Sequence, residues 1–196
     1  MSQRHIPVDT VRLPMNRAAE EYVVLLDDDG TPIGRAPKRT VHNEHTPLHL
    51  AFSCYVFRGD RMLVTRRAWT KVTWPGVWTN ACCGHPAPGE QPEAAIRRRL
   101  DVELGLREVT GIELAHPTFR YRAVMDNGIV ENEVCPVYLA RVPEGSEPRP
   151  DPDEVADHRW TTVAAFRREL SRSPRSYSPW AHEQLAALRD HAVLAG

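Results

Sequence analysis

Residues 84–106 read GHPAPGEQPEAAIRRRLDVELGL, and the organisation of the chain follows from this stretch. Its first part, rich in proline and glycine, reads as a loop. From Glu93 onward Ala95, Ile96, Leu100 and Leu104 recur at helical spacing. Gly105 is a natural stop for such a helix. Gly84 is followed six residues later by Glu90, and the helix carries Glu103 just before its stop. One reading of the helix is a surface element with an Arg99–Glu103 i,i+4 pair, worth about 0.2–0.5 kcal/mol. The alternative is a helix whose carboxylate has a task, and the flanking residues have to decide between them.

On the N-terminal side, EYVVLLDDDGTPIGRAP reads as a hairpin closed by an Asp/Gly turn, and HLAFSCYVFRGDRMLVTRRA as a second with its turn at 58–60. On the C-terminal side, TFRYRAVM and IVENEVCPVYLARV read as two strands around Asp126-Asn127-Gly128. EGSEPRPDPDE reads as a loop of prolines and acids with nothing to bury. HRW is a short strand, TVAAFRREL a helix and SPWAHEQLAALRDHAV a terminal helix. Strands outnumber helices, so the class is α+β or mixed α/β in one domain.

Composition agrees with one globular domain. The chain has 196 residues, 41% hydrophobic and 26% charged, enough for one core but not for two full domains. A net charge of −1 points away from nucleic acid and anionic membranes as partners. No apolar run approaches the roughly 18 residues that span a bilayer. The polar start, MSQRHIPVDTVRLPMNRAAE, lacks a signal core. Four unevenly spaced cysteines do not form a secreted disulfide framework. The expectation is a cytoplasmic protein with a loosely attached extension (1–20), a domain (21–190) and a short tail (191–196).

Several residues can carry chemistry. Cys82 and Cys83 are adjacent, which suits a disulfide, a metal clip, a reactive thiol or a buried apolar pair. Glu131 and Glu133 are two apart on a strand and so share a face. Carboxylates so placed repel unless a cation or proton joins them; a polar outer sheet face is the plainer reading. His42 and His49 flank a proline-interrupted loop, and His85 follows the cysteines. Three imidazoles with two carboxylates would suit Mn²⁺, Mg²⁺ or Zn²⁺, with His45, His116, His158 and His182 as competing candidates. Of 25 basic residues only Lys38 and Lys71 are lysines. Arg67 and Lys71 sit near aromatics in LVTRRAWTKVTWPGVW, placed either for a phosphate clamp or as a solvated loop.

The segment from Gly84 resembles the Nudix box, a loop–helix–loop in which helix carboxylates hold Mg²⁺ against a diphosphate. The match is partial. Where hydrolytic members carry a run of glutamates, this helix has Arg99 and Val102, and only Glu103 remains. LHLAF, LVTRRA, WPGVWTN, CCGHP, FRYRA, GIVENEVCP and SPW follow in order. Together they resemble the type 1 isopentenyl-diphosphate Δ-isomerases, a Nudix-fold branch, from about Tyr22 to Leu188. NxxCGHP and ENEVCP are the most specific of these motifs.

The resemblance implies a single-domain Nudix fold of mixed β-sheets flanked by helices. It also implies interconversion of isopentenyl and dimethylallyl diphosphate through a tertiary carbocation, in isoprenoid biosynthesis. Cys83 and Glu133 would act as acid/base groups on opposite faces of the hydrocarbon, Tyr121 would assist proton delivery, and the Trp180 ring would face the cation. His42, His49, His85, Glu131 and Glu133 would bind one metal ion, of Mn²⁺, Mg²⁺ or Zn²⁺ type. Glu103 and the Cys83 carbonyl would bind a diphosphate-bridging Mg²⁺. Lys38, Arg67 and Lys71 would hold the diphosphate, with Arg99 steadying it or Glu103. Cys82 has no implied role, and a monomer or weak dimer is expected. The competing functions are a Nudix diphosphate hydrolase, which the depleted glutamates disfavour, and a thiol module, which the strain of a vicinal disulfide disfavours.

Overall fold

Two extended segments cross from one sheet to another, and that crossing creates the site. A computed structural model describes residues 21–194, so the proposed extension at 1–20 lies outside the described residues. The strands are β1 (Tyr22–Leu26), β2 (Pro32–Pro37), β3 (His49–Leu50), β4 (Phe52–Arg58), β5 (Arg61–Arg67) and β6 (Trp78–Thr79). They continue with β7 (Cys82–Gly84), β8 (Thr110–His116), β9 (Arg120–Val124), β10 (Val130–Val134), β11 (Val137–Arg141) and β12 (Val155–Thr161). The helices are α1 (Lys38–Val41), α2 (Pro92–Leu104), α3 (Val163–Arg172) and α4 (Pro179–Ala187).

One sheet has the order β2-β1-β3-β10-β9, the other β12-β5-β4-β11-β8, with β6 on β5 and β7 on β4. This is the mixed-sheet α+β architecture that the strand and helix patterns indicate. Both expected hairpins form, β1–β2 and β4–β5. The extended segment at 129–142 is two strands rather than one. β10 belongs to the first sheet and β11 to the second, with the break at Cys135 and Pro136. Proline has no N–H to continue the ladder, so the chain changes sheets there. His49 to Arg58 does the same at Ala51, and the two crossings run side by side, as parallel pairs β3–β10 and β4–β11.

Alternation along β4 divides the core. Phe52, Cys54 and Val56 face α2 through its Ala95, Ile96, Leu100 and Leu104, while Tyr55 and Phe57 join Phe166 and Leu170 of α3 and Trp180 and Leu185 of α4. Gly105 caps α2 with a left-handed φ of 65°, as its sequence position anticipates. Gly84 is closely packed: a Cβ would meet Arg99 Cγ at 3.0 Å and Phe52 Cζ at 3.1 Å, so those side chains would have to shift. Leu194 is buried in the core and its carbonyl accepts from Arg167 Nη2. Four elements lack a readable sequence signal: α1, β6, β7 and β8. The strand read at HRW extends over the whole of β12. No described helix is long and apolar enough to cross a membrane.

Candidate active site

The register of β10 assembles the centre of the site. Glu133 is paired with His49 of β3 on one side and with Tyr121 of β9 on the other. Glu131 and Glu133 project to the same side, into a cavity of about 730 Å³, so the polar-outer-face reading of this strand does not hold. Both carboxylates are only 5% exposed, because β10 lies between two strands where the chain changes sheets. The cavity is also lined by Lys38, His42, Arg67, Lys71, Cys83, His85, Arg99, Tyr121 and Trp180. His49 and Glu103 lie just behind this wall, buried against Glu133 and Arg99 respectively. The residues that the family resemblance assigns to the site therefore meet in one place.

Three imidazoles converge on one carboxylate oxygen. Glu133 Oε1 lies 3.1 Å from His85 Nε2, 3.4 Å from His49 Nε2 and 4.0 Å from His42 Nε2. His49 Nδ1 is 2.9 Å from the Pro47 carbonyl, which fixes the tautomer and turns the Nε2 lone pair inward. His49 Nε2 and His85 Nε2 are 3.2 Å apart, a contact between two ring nitrogens that a shared cation would satisfy. His42 Nε2 is buried with no hydrogen-bond partner. Donor atoms of His42, His49, His85 and Glu133 lie within 4.8 Å of one another. This buried set of three histidines and one glutamate suits a divalent metal by ligand type. His45, His116, His158 and His182 are not in it.

Glu131 stands beside this set, held through Tyr121. The phenol oxygen lies 2.5 Å from Glu131 Oε2 and 2.8 Å from Glu133 Oε2. One hydroxyl proton cannot serve both carboxylates, so a second proton or a cation belongs in the cluster. Burial, reinforced by the Glu133 charge, pushes the Glu131 carboxyl up, whereas the three imidazoles gathered around Glu133 outweigh its burial and hold it well below the usual range. Burial depresses His85 to about 4, against the pull of Glu133. Burial pushes Tyr121 well up.

The adjacent cysteines face opposite ways from β7. Cys82 is buried in the apolar cluster on α2, while Cys83 opens onto the cavity. Burial pushes the Cys83 thiol up to about 12, so at neutral pH it holds a proton. Its Sγ donates to Asn80 Oδ1 at 3.3 Å. Trp180 sits 1% exposed on α4, its indole N–H aimed at Thr79 Oγ1 and Asn80 Oδ1, its ring 5.7 Å from Tyr121 and from Trp74. An indole anchored by its N–H leaves its ring to shape the apolar part of the cavity.

At the mouth, the cations are held by carboxylates and carbonyls. Lys38 pairs with Glu21 at 2.5 Å, and Lys71 pairs closely with Glu154. Arg67 donates to the carbonyls of Thr73 and Trp74 and to Thr73 Oγ1, holding a turn in which Trp74 takes a left-handed φ of 42°. Arg99 joins Glu103 at 2.5 Å and Glu154 at 3.1 Å. This pair is not the surface i,i+4 bridge of the plainer reading. Arg99 is 5% and Glu103 7% exposed, on the same face of α2 as its apolar residues. Glu154 lies in a stretch that reads in sequence as a loop with nothing to bury. The loop folds back on the end of α2, with Arg149 N–H bonded to the Leu104 carbonyl and Asp151 N–H to that of Glu103. Glu90 accepts from Arg98 and from the Ala87 N–H, closing the loop before α2.

A loop–helix–loop set against a mixed sheet, with its carboxylate beside a cavity lined by basic residues, defines a Nudix-type protein. The NUDIX domain model matches residues 47–181. A crystal structure from Deinococcus radiodurans has the same fold, with a TM-score of 0.62 over 83% of this chain and 96% of that one at 15% identity. Within that class the sequence relatives are narrower. An isopentenyl-diphosphate Delta-isomerase of Leifsonia xyli subsp. xyli is 55% identical over 86% of this chain and 91% of its own length. Another, of Paenarthrobacter aurescens, is 54% identical over 90% of this chain and 95% of its own length. The chain belongs to the isopentenyl-diphosphate Delta-isomerase family.

Proposed function

We propose that the chain interconverts isopentenyl diphosphate and dimethylallyl diphosphate, adding a proton at C4 and removing one from C2 through a tertiary carbocation. The observation that carries this reading is the buried meeting of Cys83, Tyr121, Glu131, Glu133 and Trp180 in one cavity whose mouth is basic. An alkene is a poor base, so its protonation asks for a strong acid in a dry place. Glu133, with Tyr121 bonded to it, acts on one face of the hydrocarbon. Cys83, whose thiol opens onto the cavity, acts on the other. The ring of Trp180 faces the cationic carbon, a contact worth about 0.5–2 kcal/mol. Lys38, Arg67, Lys71 and Arg99 hold the diphosphate, the lysines as point charges and the arginines by their positive charge, since the Nε and Nη2 of each are already bonded within the protein.

His42, His49, His85 and Glu133, with Glu131 alongside, would hold Mn²⁺, Mg²⁺ or Zn²⁺. Its charge would let two carboxylates share the site and would make a nearby proton more acidic. Glu103 and the Cys83 carbonyl are hard oxygen donors suited to Mg²⁺, whose charge would offset that of the diphosphate. The protein works in a reducing cytoplasm, consistent with four free thiols. A Nudix hydrolase would leave Cys83 and Tyr121 without a task, and positions 99 and 102 bear arginine and valine rather than acids.

The test is to incubate the protein with isopentenyl diphosphate, Mg²⁺ and Mn²⁺ and follow both phosphorus nuclei by NMR. An isomerase yields dimethylallyl diphosphate with the diphosphate intact. Release of phosphate without the allylic product would sink the proposal.

A further inference from the structure

Behind Cys83 runs a line of buried polar groups that line neither the cavity nor the metal-type cluster. β7 pairs with β4 so that Cys83 lies opposite Ser53. Ser53 Oγ is 3.2 Å from Cys83 Sγ and 3.5 Å from Cys135 Sγ. Gln184 Nε2, on α4, donates to Ser53 Oγ at 2.8 Å. The Tyr55 hydroxyl donates to Gln184 Oε1 at 3.1 Å. Ser53, Tyr55 and Gln184 are all 0% exposed.

The Tyr55–Gln184 and Gln184–Ser53 bonds have a defined direction, and the direction of the Ser53–Cys83 contact, which either atom could donate, is inferred from them. A phenol donating to Gln184 Oε1 turns the amide nitrogen toward Ser53. The amide N–H then occupies an acceptor site on Ser53 Oγ, which leaves the serine proton for a sulfur, and Cys83 is the nearer. On the other side, the Asn80 amide nitrogen is committed to the Cys54 and Cys82 carbonyls, so Asn80 Oδ1 can only accept. The sulfur thus meets an acceptor for its S–H and a separate donor aimed at its lone pair. A thiol needs only the first. The second matters when the proton has left the sulfur for a carbon atom.

We propose that Ser53 and Gln184, oriented by Tyr55, are positioning residues for Cys83. They fix the place of Sγ and supply an O–H donor to it during the step in which its proton resides on substrate carbon. On the opposite face the C2 proton passes to Glu133, so the hydrocarbon gains one proton and loses one and no electron is gained or lost; exchange with solvent then restores the thiol and the carboxylate. This inference rests on the isomerase reading and assigns to that reaction a support reaching from the cavity to α4.

The experiment compares metal-loaded wild type with Ser53→Ala and Tyr55→Phe, reading kcat and KM for isopentenyl diphosphate, bound metal and thermal stability. Ser53→Ala is expected to lower kcat about 10- to 100-fold, as loss of a hydrogen bond to a charged group implies, with KM and metal content unchanged. Tyr55→Phe touches neither Cys83 nor the cavity, and should lower kcat about 3- to 10-fold through the misoriented amide, again with KM unchanged. Unimpaired kcat in both variants would overturn the inference. So would a fall in kcat that merely follows lost metal or lost fold. If Ser53→Ala does not fold, Tyr55→Phe decides on the same criterion. An inactive wild type would overturn the isomerase reading together with this inference. An active wild type with unimpaired variants would overturn the inference alone.

Discussion

Replacing each of the adjacent cysteines by serine should produce opposite phenotypes. Cys82 is 2% exposed and packs in the cluster with Phe52, Ala95 and Ile96. Its thiol makes a weak contact with the Cys83 carbonyl at 3.8 Å. A serine hydroxyl there is an underpartnered polar group in an apolar site, destabilising by about 1–3 kcal/mol. For a domain of this size that lowers Tm by roughly 3–10 °C, while kcat below the transition stays as in the wild type. Cys83 already lies beside Asn80 and Ser53, and a serine can keep both hydrogen bonds. Cys83→Ser should therefore fold normally, yet lose about 100- to 10,000-fold in kcat, the usual worth of a positioned acid/base group. Initial rates of isomer formation and thermal denaturation by circular dichroism read both effects. Equal loss of kcat from the two substitutions, or an inactive Cys82→Ser of unchanged Tm, would refute the assignment of Cys83.

Three further outcomes are expected. Tyr121→Phe keeps the ring between Phe119 and Trp180 but removes the hydroxyl from both carboxylates, so kcat should fall about 10- to 100-fold without change in fold, read by steady-state kinetics. Arg99→Met leaves Glu103 and Glu154 without their shared cation, and denaturant unfolding should show about 3–5 kcal/mol lost, with a raised KM for the diphosphate. Dialysis against a chelator should abolish isomerisation while the circular dichroism spectrum persists, because Glu133 remains bonded to His49 and His85. Activity should return with Mn²⁺, Mg²⁺ or Zn²⁺.

The sequence already contains the parts of this site whose signals are local. The spacing of Ala95, Ile96, Leu100 and Leu104, with Gly105 as stop, defines α2 to within a residue or two of its observed bounds. Glu131 and Glu133 share a face because side chains alternate along any strand. Register is another matter. That Glu133 lies between His49 and Tyr121 depends on β10 pairing with β3 and β9, and pairing between distant segments leaves little trace in either. The short strands β6 and β7 exist because β5 and β4 offer them edges, not because Trp78–Gly84 has a strand pattern. In sequence Glu154 is one more acid in a proline-rich loop, since nothing nearby in sequence shows that Arg99 and Lys71 await it. Ser53 and Gln184 are 131 residues apart. Only the packing of α4 on β4 makes them neighbours.

Proton exchange at carbon without cleavage of the diphosphate is the central claim, and the most direct test is to run the reaction in D₂O. The protein, with Mg²⁺ and Mn²⁺, should incorporate deuterium from solvent into the C4-derived methyl group of dimethylallyl diphosphate, with no free phosphate. Phosphate release without deuterium in the hydrocarbon would contradict it.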